Sequence, residues 1–464
     1  MTVEEVIAKK PNGLGIRHLQ VIMMFLALLL AFSMRVNLSM GIVAMTDPDG
    51  ENTFDWSLSI QSMILSSFFW GYIVLQIPGG VLASRFGGKI LILICIGVNS
   101  LITLLIPTAA RLGDWQMVCA CRVLQGLSQG FIYPSLHTLV AKWVPLEEKG
   151  RLGTVVYVGG QLGTAFQHIA AGFIADLWGW PAIFYVTGTI GAIWTIVYII
   201  IGSSSPQESR FITSEERLYI QTSLGQIGGH KRYKTPWKAI FTSMPFISLI
   251  IAHCGQNWGH WTLITEIPSY MSKVLGVDIK HNGIISALPY LALFVLSIPN
   301  GFVADYILKK KWLSITASRK LFNSIGAYGP AIALICLSYT PADVVIATSL
   351  LVVVVGINAG HFAGYILVHI DMAPNFAGQM MGITNFFANI ISLITPLAAG
   401  AILQDESDPS EWRKVFYVSA GVYILCNTIF VIFATSEKQP WNEVEENGND
   451  PESKIKPEKA VSSE

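Results

Sequence analysis

Charge is scarce in this chain. Lys, Arg, Asp and Glu together make up 13% of 464 residues, about half the share of an ordinary soluble domain. With hydrophobic residues at 52%, too little polar surface is left to wet the soluble globules that such a length suggests, so a soluble enzyme is excluded. Net charge is absent as well: thirty basic residues balance thirty acidic ones, leaving no basic field for nucleic acid. Cysteine is sparse and badly placed for chemistry. Cys95, Cys119, Cys121, Cys254, Cys336 and Cys426 lie in apolar stretches without zinc spacing, and read as small core residues with neither a disulfide frame nor a metal site. No clustered nucleophile marks an embedded enzyme, and no cofactor is expected.

Long apolar runs are what the chain has in quantity. A hydrocarbon core of about 30 Å needs about 20 apolar residues per helix. Twelve such runs occur, at 18–44, 58–83, 89–109, 115–142, 152–176, 181–202, 244–272, 281–306, 321–339, 343–371, 378–402 and 413–434. The expected class is an all-α membrane protein with twelve transmembrane helices in two pseudo-symmetric six-helix bundles. Its expected parts are a cytoplasmic N-terminal tail (1–17), an N-terminal bundle (18–202), a cytoplasmic central loop (203–239), a C-terminal bundle (240–434) and a disordered cytoplasmic tail (435–464). Lys9, Lys10 and Arg17 precede the first run as in a signal peptide, but eleven further spans and an Arg within the run favour a retained helix. Of the thirty Lys and Arg, twenty-three fall on the side of the N-terminus and five opposite. Basic residues resist translocation, so both termini are expected in the cytoplasm.

The two halves carry matching punctuation. Ile77-Pro78-Gly79-Gly80-Val81-Leu82-Ala83-Ser84 meets Ile298-Pro299-Asn300-Gly301-Phe302-Val303-Ala304-Asp305, Gly126 and Gly130 meet Gly356 and Gly360, and Pro145 and Gly153 meet Pro374 and Gly382. Such duplication marks a transporter architecture with its site at the repeat interface. Stripes such as Gly126-x-x-x-Gly130 and Gly159-x-x-x-Gly163 let helices approach closely, whether for rocking or for static packing.

Two arginines stand inside spans, each opposing insertion by about 2.5 to 3.5 kcal/mol. Arg35 and Arg122 are therefore expected to face a central aqueous cavity, where a guanidinium forks onto a carboxylate or phosphate oxygen pair; an internal ion pair or bonds to backbone carbonyls are the alternative. From Arg122, Gln125, Gln129 and Tyr133 follow at helical spacing within an arc of about 80°. Ser39 lies one turn beyond Arg35, and Gln256, His260 and Tyr270 form a second stripe on span seven. These nine residues are the expected substrate contacts, and the expected partner is a small anion. Glu266, the one acid well inside a span, is a candidate for proton exchange, with His260 a weaker one and His137, His168, His253, His361 and His369 weaker still. Arg85, Glu148 and Arg151 on the inner loops fit either a bistable lock between access states or ordinary positive-inside anchoring.

The Gly80-Val81-Leu82-Ala83-Ser84-Arg85-Phe86-Gly87-Gly88-Lys89 loop, on twelve spans in a six-plus-six repeat, resembles the major facilitator superfamily, whose pattern usually has Asp where Ser84 stands. Ser67-Phe68-Phe69-Trp70-Gly71-Tyr72, Gln76-Ile77-Pro78-Gly79-Gly80, Arg122-Val123-Leu124-Gln125-Gly126, Tyr133-Pro134, Asp371-Met372-Ala373-Pro374, Gly382-Ile383-Thr384-Asn385 and Gln439-Pro440-Trp441 resemble, more narrowly, its anion:cation symporter family. The resemblance implies the major facilitator fold and secondary active transport of phosphate or an organic anion by alternating access, with sodium or a proton as coupling ion. It implies anion handling by Arg35 and Arg122. Two departures count: sialin-like members carry glutamates where Gln125 and Gln129 stand, and vesicular glutamate transporters carry an Arg where Gln256 stands, which disfavours glutamate loading. The expected setting is a monomer in the plasma membrane or an endosomal, lysosomal or vesicle membrane. A vesicular or lysosomal organic-anion carrier is the alternative, and a non-transporting receptor a distant one.

Overall fold

The computed structural model describes residues 11, 13–46, 53–225, 235–275, 279–340, 343–403 and 408–443. In hydrocarbon each backbone N–H and C=O must be satisfied within its own segment, and the described elements are accordingly helices. They are α1 (Ile16–Met45), α2 (Leu58–Val74), α3 (Gln76–Phe86), α4 (Gly88–Gln129), α5 (Ile132–Trp143), α6 (Lys149–Trp178), α7 (Trp180–Ile201), α8 (Ser214–Leu224), α9 (Trp237–Thr242), α10 (Met244–Lys273), α11 (Ile279–Lys309), α12 (Ile315–Ser338), α13 (Val344–Asn358), α14 (Gly360–Ala363), α15 (Tyr365–Met372), α16 (Ala377–Ile402) and α17 (Pro409–Phe433).

Among the described residues eight helices are long and apolar enough to cross a membrane, and the α2–α3 pair, bent by 50°, makes a ninth. The bend follows from Pro78, which cannot donate to the carbonyl of Val74. One of the eight, Gly88–Trp143, holds two of the expected spans, because α4 is broken at Gly113 and Asp114. Asp114 sits at φ 50°, rare for a non-glycine residue, and Trp56 Nε1 donates to its carboxylate at 2.6 Å. The last two spans, α6 and α10, are diluted by Gly and by Gln and His side chains that turn inward, as buried Gln167, His253 and Gln256 show. Twelve spans result.

The halves repeat in three dimensions. A short 3-10 turn, Leu146–Glu148, follows Pro145 and opens α6, and its counterpart Pro374–Phe376 opens α16. In the N-terminal half α1 packs on α6, α2 on α4 and α4 on α7; in the C-terminal half α10 packs on α16 and α17, and α12 on α13 and α17. The two bundles meet where α6 lies on α11 and where α3 and α5 lie on α16.

Glycine sets the spacing between α2 and α4. A Cβ at Gly126 would collide with the Phe68 carbonyl, and one at Gly71 with that of Val123. Gly126→Val is therefore expected to force the two helices apart, with at least a several-fold loss of folded protein after detergent extraction and a lower melting temperature. Wild-type yield and melting would show that this contact has slack.

Two expectations are revised. The central segment 203–239 is more than a loop, since it contains α8, capped by Thr213, whose Oγ1 accepts from Glu216 N at 3.3 Å, and closed by left-handed Gly225. The C-terminal segment 435–443, expected to be disordered, is ordered. Gln439 N donates to Met372 O at 2.9 Å, Asn375 N to Asn442 Oδ1 at 3.1 Å, and the Trp441 ring lies 6.3 Å from Phe376. Composition alone does not show this, because the partners at 372–376 are distant in sequence. Residues 444–464 lie outside the described part.

Candidate functional site

Arg35, on α1, is half-buried and held by aromatic rings. Its Cζ lies 4.8 Å from the ring centroids of Phe68 and Tyr72, 4.9 Å from Phe69 and 5.4 Å from Phe32. Phe68 and Tyr72 stand one helical turn apart on α2 with stacked rings, and Phe32 is the residue one turn before Arg35 on α1. Cation–π attraction of about 0.5 to 2 kcal/mol per favourable ring offsets the burial of a cation and, among the described residues, leaves its five N–H donors unspent. Among the described residues no carboxylate pairs with Arg35 or Arg122.

Arg122 is placed differently from the expectation of a cavity contact. It is 3% exposed, with Nη2 donating to the Arg35 carbonyl at 3.0 Å and Nη1 to Gln125 Oε1 at 3.1 Å. Its guanidinium therefore pins the α1 backbone at the residue that carries the freer cation. The rest of its stripe is also spent between helices. Gln125 Nε2 donates to Thr103 Oγ1 at 2.9 Å, and Gln129 Nε2 to Ala31 O at 2.9 Å and Asn99 Oδ1 at 3.0 Å. Buried amides need partners, and the turn of α4 at Asp114 folds Asn99 and Thr103 back beside them. Tyr133 extends the aromatic wall, edge-on to Phe32 at 6.3 Å. Ser39 Oγ donates to Val36 O at 2.6 Å.

The C-terminal half contributes α10. His260 lies 6.1 Å from Trp261, whose ring meets Phe69 at 5.8 Å, so these residues face the Arg35 cage across the bundle boundary. Gln256 Nε2 reaches Asn358 Oδ1 and His361, joining a polar knot inside that half. Tyr270 departs from the expectation. It is 5% exposed and packs edge-on against Trp412 and Phe416, each at 5.4 Å, because a large ring between α10 and α17 gains more from aromatic burial than from facing water. Glu266 lies on α10, but its side chain falls outside the described residues.

Of the three inner-loop residues, Glu148 and Arg151 belong to a charged latch and Arg85 does not. Arg85 is exposed over the ring of Phe86. Arg17 Nε and Nη1 bridge Glu148 and Glu216, each at 2.8 Å, and Glu148 also pairs with Arg151. Glu216 further accepts from Ile16 N at 2.9 Å, which ties α8 to the start of α1. Across the bundle boundary, Asp305 at the end of α11 accepts from Gly150 N at 2.7 Å and Arg151 N at 2.9 Å, capping the positive N-terminus of α6. Asp371 binds Lys149 Nζ of the opposite bundle at 3.0 Å and Arg319 Nε of its own at 2.8 Å. The repeat counterpart of Asp305 is Ser84, whose Oγ accepts from Gln379 Nε2 of α16 at 2.9 Å. One arm of the latch is ionic and the other neutral.

Periodicity missed the aromatic cage and both cross-boundary aspartates. The cage had a signal in Phe68 and Tyr72 at i, i+4, and Asp305 had one in its alignment with Ser84. Nothing local marked Lys149 as the partner of a residue 222 positions away.

Comparison with known proteins accords with this architecture. The profile of the Major Facilitator Superfamily matches residues 22–396. A Drosophila melanogaster protein named for inorganic phosphate cotransport is 39% identical over 464 residues, covering 94% of this chain and 88% of its own length. Human vesicular glutamate transporter 2 is 35% identical, covering 94% and 76%, and human sialin 33%, covering 92% and 90%. Among solved structures, the proton:xylose symporter XylE shares the fold with a TM-score of 0.69 at 16% identity, over 91% of this chain and 98% of that one. The chain is thus a membrane transporter rather than an enzyme, and it belongs to the major facilitator superfamily and, within it, to the anion:cation symporter family.

Proposed function

We propose that this protein moves a small anion across a membrane by alternating access, with the bundles 18–202 and 240–434 rocking about a site centred on Arg35. The observation that carries this reading is a half-buried guanidinium held by four aromatic rings with no carboxylate partner among the described residues. Such a cation is stable in the membrane yet uncompensated, so an entering anion supplies the missing charge. Arg122 orients it. The basic bias of the inner loops puts both termini and the latch in the cytoplasm, and the molecule acts as a monomer coupled to a cation, sodium or a proton.

Phosphate is the first substrate, in keeping with the relative named for its cotransport. The aromatic wall of Phe32, Phe69 and Trp261 beside Arg35 favours a second reading, an organic anion with an apolar body, because inorganic phosphate has no apolar surface to bury there. That reading places the protein in a vesicular or lysosomal membrane. In proteoliposomes, an imposed sodium or proton gradient is expected to drive uptake of labelled phosphate or of one member of a carboxylate panel that includes sialic acid and glutamate. Uptake no greater than in protein-free vesicles across the panel would defeat concentrative symport.

A further inference from the structure

Three imidazoles from distant segments meet where the bundles join. His137 comes from α5 of the N-terminal half, His253 from α10 and His369 from α15 of the C-terminal half. The rings of His137 and His369 are 5.3 Å apart, and those of His253 and His369 6.4 Å. All three are buried. They touch as rings and do not surround an ion, and among the described residues no metal-holding group of His, Cys, Asp or Glu occurs.

Their hydrogen bonds define what they can carry. His137 Nε2 lies 3.1 Å and His369 Nδ1 3.2 Å from the same carbonyl, Ile366 O. A carbonyl only accepts, so each ring places an N–H there. The second nitrogens face hydroxyls: His137 Nδ1 is 2.9 Å from Tyr157 Oη, and His369 Nε2 is 2.8 Å from Thr384 Oγ1. A hydroxyl donates to a neutral imidazole and turns to accept from an imidazolium. Either ring therefore gains a proton without losing a hydrogen bond, and His137 Nδ1 has the Tyr133 carbonyl at 3.2 Å as a further acceptor. Among the described residues His253 Nδ1 has no hydrogen-bond partner, and its ring packs beside Tyr365 at 5.0 Å.

The other titratable groups around the cluster are Tyr133, Tyr157, Tyr365, His361 and Cys254, and no described carboxylate pairs with any of the three rings. Asp371, two residues beyond His369, is shared by Lys149 and Arg319, so that triad carries a net charge of +1 and offers the cluster no spare carboxylate. Two imidazoliums at this spacing repel, so the cluster holds one proton at a time. The bond from His137 to Ile366 O joins opposite bundles. Separation of the bundles at the latch breaks it and wets the rings, so the proton leaves only in the state open on that side.

We propose that the His137–His369–His253 cluster binds the coupling proton of symport. This rests on the anion-transport reading above and adds to it the identity of the cation and its site. It also supplies a proton carrier where Gln125 and Gln129 cannot act as one.

The test measures two activities of the same purified full-length protein in proteoliposomes: accumulation of a labelled anion driven by a proton gradient, and counterflow exchange of that anion with no gradient. Wild type is expected to show both. His137→Gln and His369→Gln are expected to lose at least tenfold in gradient-driven accumulation while counterflow stays within about twofold, because exchange needs no net proton movement. Thr384→Val is the milder probe. It leaves the imidazolium N–H without its acceptor, so half-maximal uptake is expected about one pH unit further to acid. Gradient-driven accumulation unchanged in both glutamine variants would overturn the proposal. So would equal loss of accumulation and counterflow in all three variants, which marks a structural cluster. Wild-type accumulation driven by sodium alone would overturn the proton assignment and leave the transport reading standing, whereas absent wild-type counterflow would overturn that reading itself.

Discussion

Replacing Arg35 with Gln is expected to lower initial anion uptake by about a hundredfold or more, with normal abundance and melting behaviour. A charge-assisted hydrogen bond contributes about 1.5 to 3 kcal/mol, and a guanidinium facing an anion makes two in parallel; with every 1.4 kcal/mol worth tenfold, a loss of about 3 kcal/mol already gives the hundredfold figure. Stability is spared because Arg35 has no described carboxylate to orphan, and an uncharged side chain in the cage of Phe32, Phe68, Phe69 and Tyr72 removes an insertion penalty. Arg35→Lys retains charge but loses the planar fork, so partial uptake with a raised KM is expected. Arg122→Gln separates positioning from contact. It breaks the 3.0 Å bond to the Arg35 carbonyl, and is expected to reduce uptake together with melting temperature. Wild-type uptake by Arg35→Gln would move the anion site elsewhere.

The second large effect belongs to Asp371. Asp371→Asn is expected to leave Lys149 and Arg319, each 2% exposed, as uncompensated buried cations. Breaking a buried pair from one side destabilises by about 3 to 5 kcal/mol, read as a melting temperature lower by a few degrees in detergent and as loss of most transport. Lys149→Met is the informative companion. It removes the cross-boundary tie but keeps the Arg319–Asp371 pair inside one bundle, so the protein stays folded while the latch end opens more often. A single cysteine introduced on the latch-end seam is then expected to react faster with a water-soluble thiol reagent than in the otherwise unchanged protein. Equal rates would show that Lys149 does not hold the bundles together.

How far the site was legible depended on range in sequence. Arg35 and Arg122 stood out because a cation inside an apolar run is anomalous on its own terms, and the split into twelve spans followed from run length alone. The stripe Arg122, Gln125, Gln129 was read correctly as one helix face, yet periodicity cannot say what that face meets. It meets Ala31, Asn99 and Thr103, because α4 doubles back at Gly113 and Asp114. Tyr270 shared a stripe with Gln256 but turned toward Trp412 and Phe416, residues more than 140 positions away. The three histidines looked unremarkable one at a time, since each joins the cluster only through a carbonyl or ring of another segment.

The sequence by itself determined the solvent this chain lives in, the number of its membrane spans, the doubling of its halves and the presence of two cations that need an anion or a partner. Those properties are sums over neighbouring residues, and hydropathy, spacing and turn chemistry act over that range. The tertiary structure alone decided which guanidinium is pinned and which is caged, which acids bridge the bundles, and which imidazoles share the Ile366 carbonyl. Each of these depends on contacts between segments that meet only after the two halves close against each other, and a low-dielectric interior makes the result sensitive to every such contact.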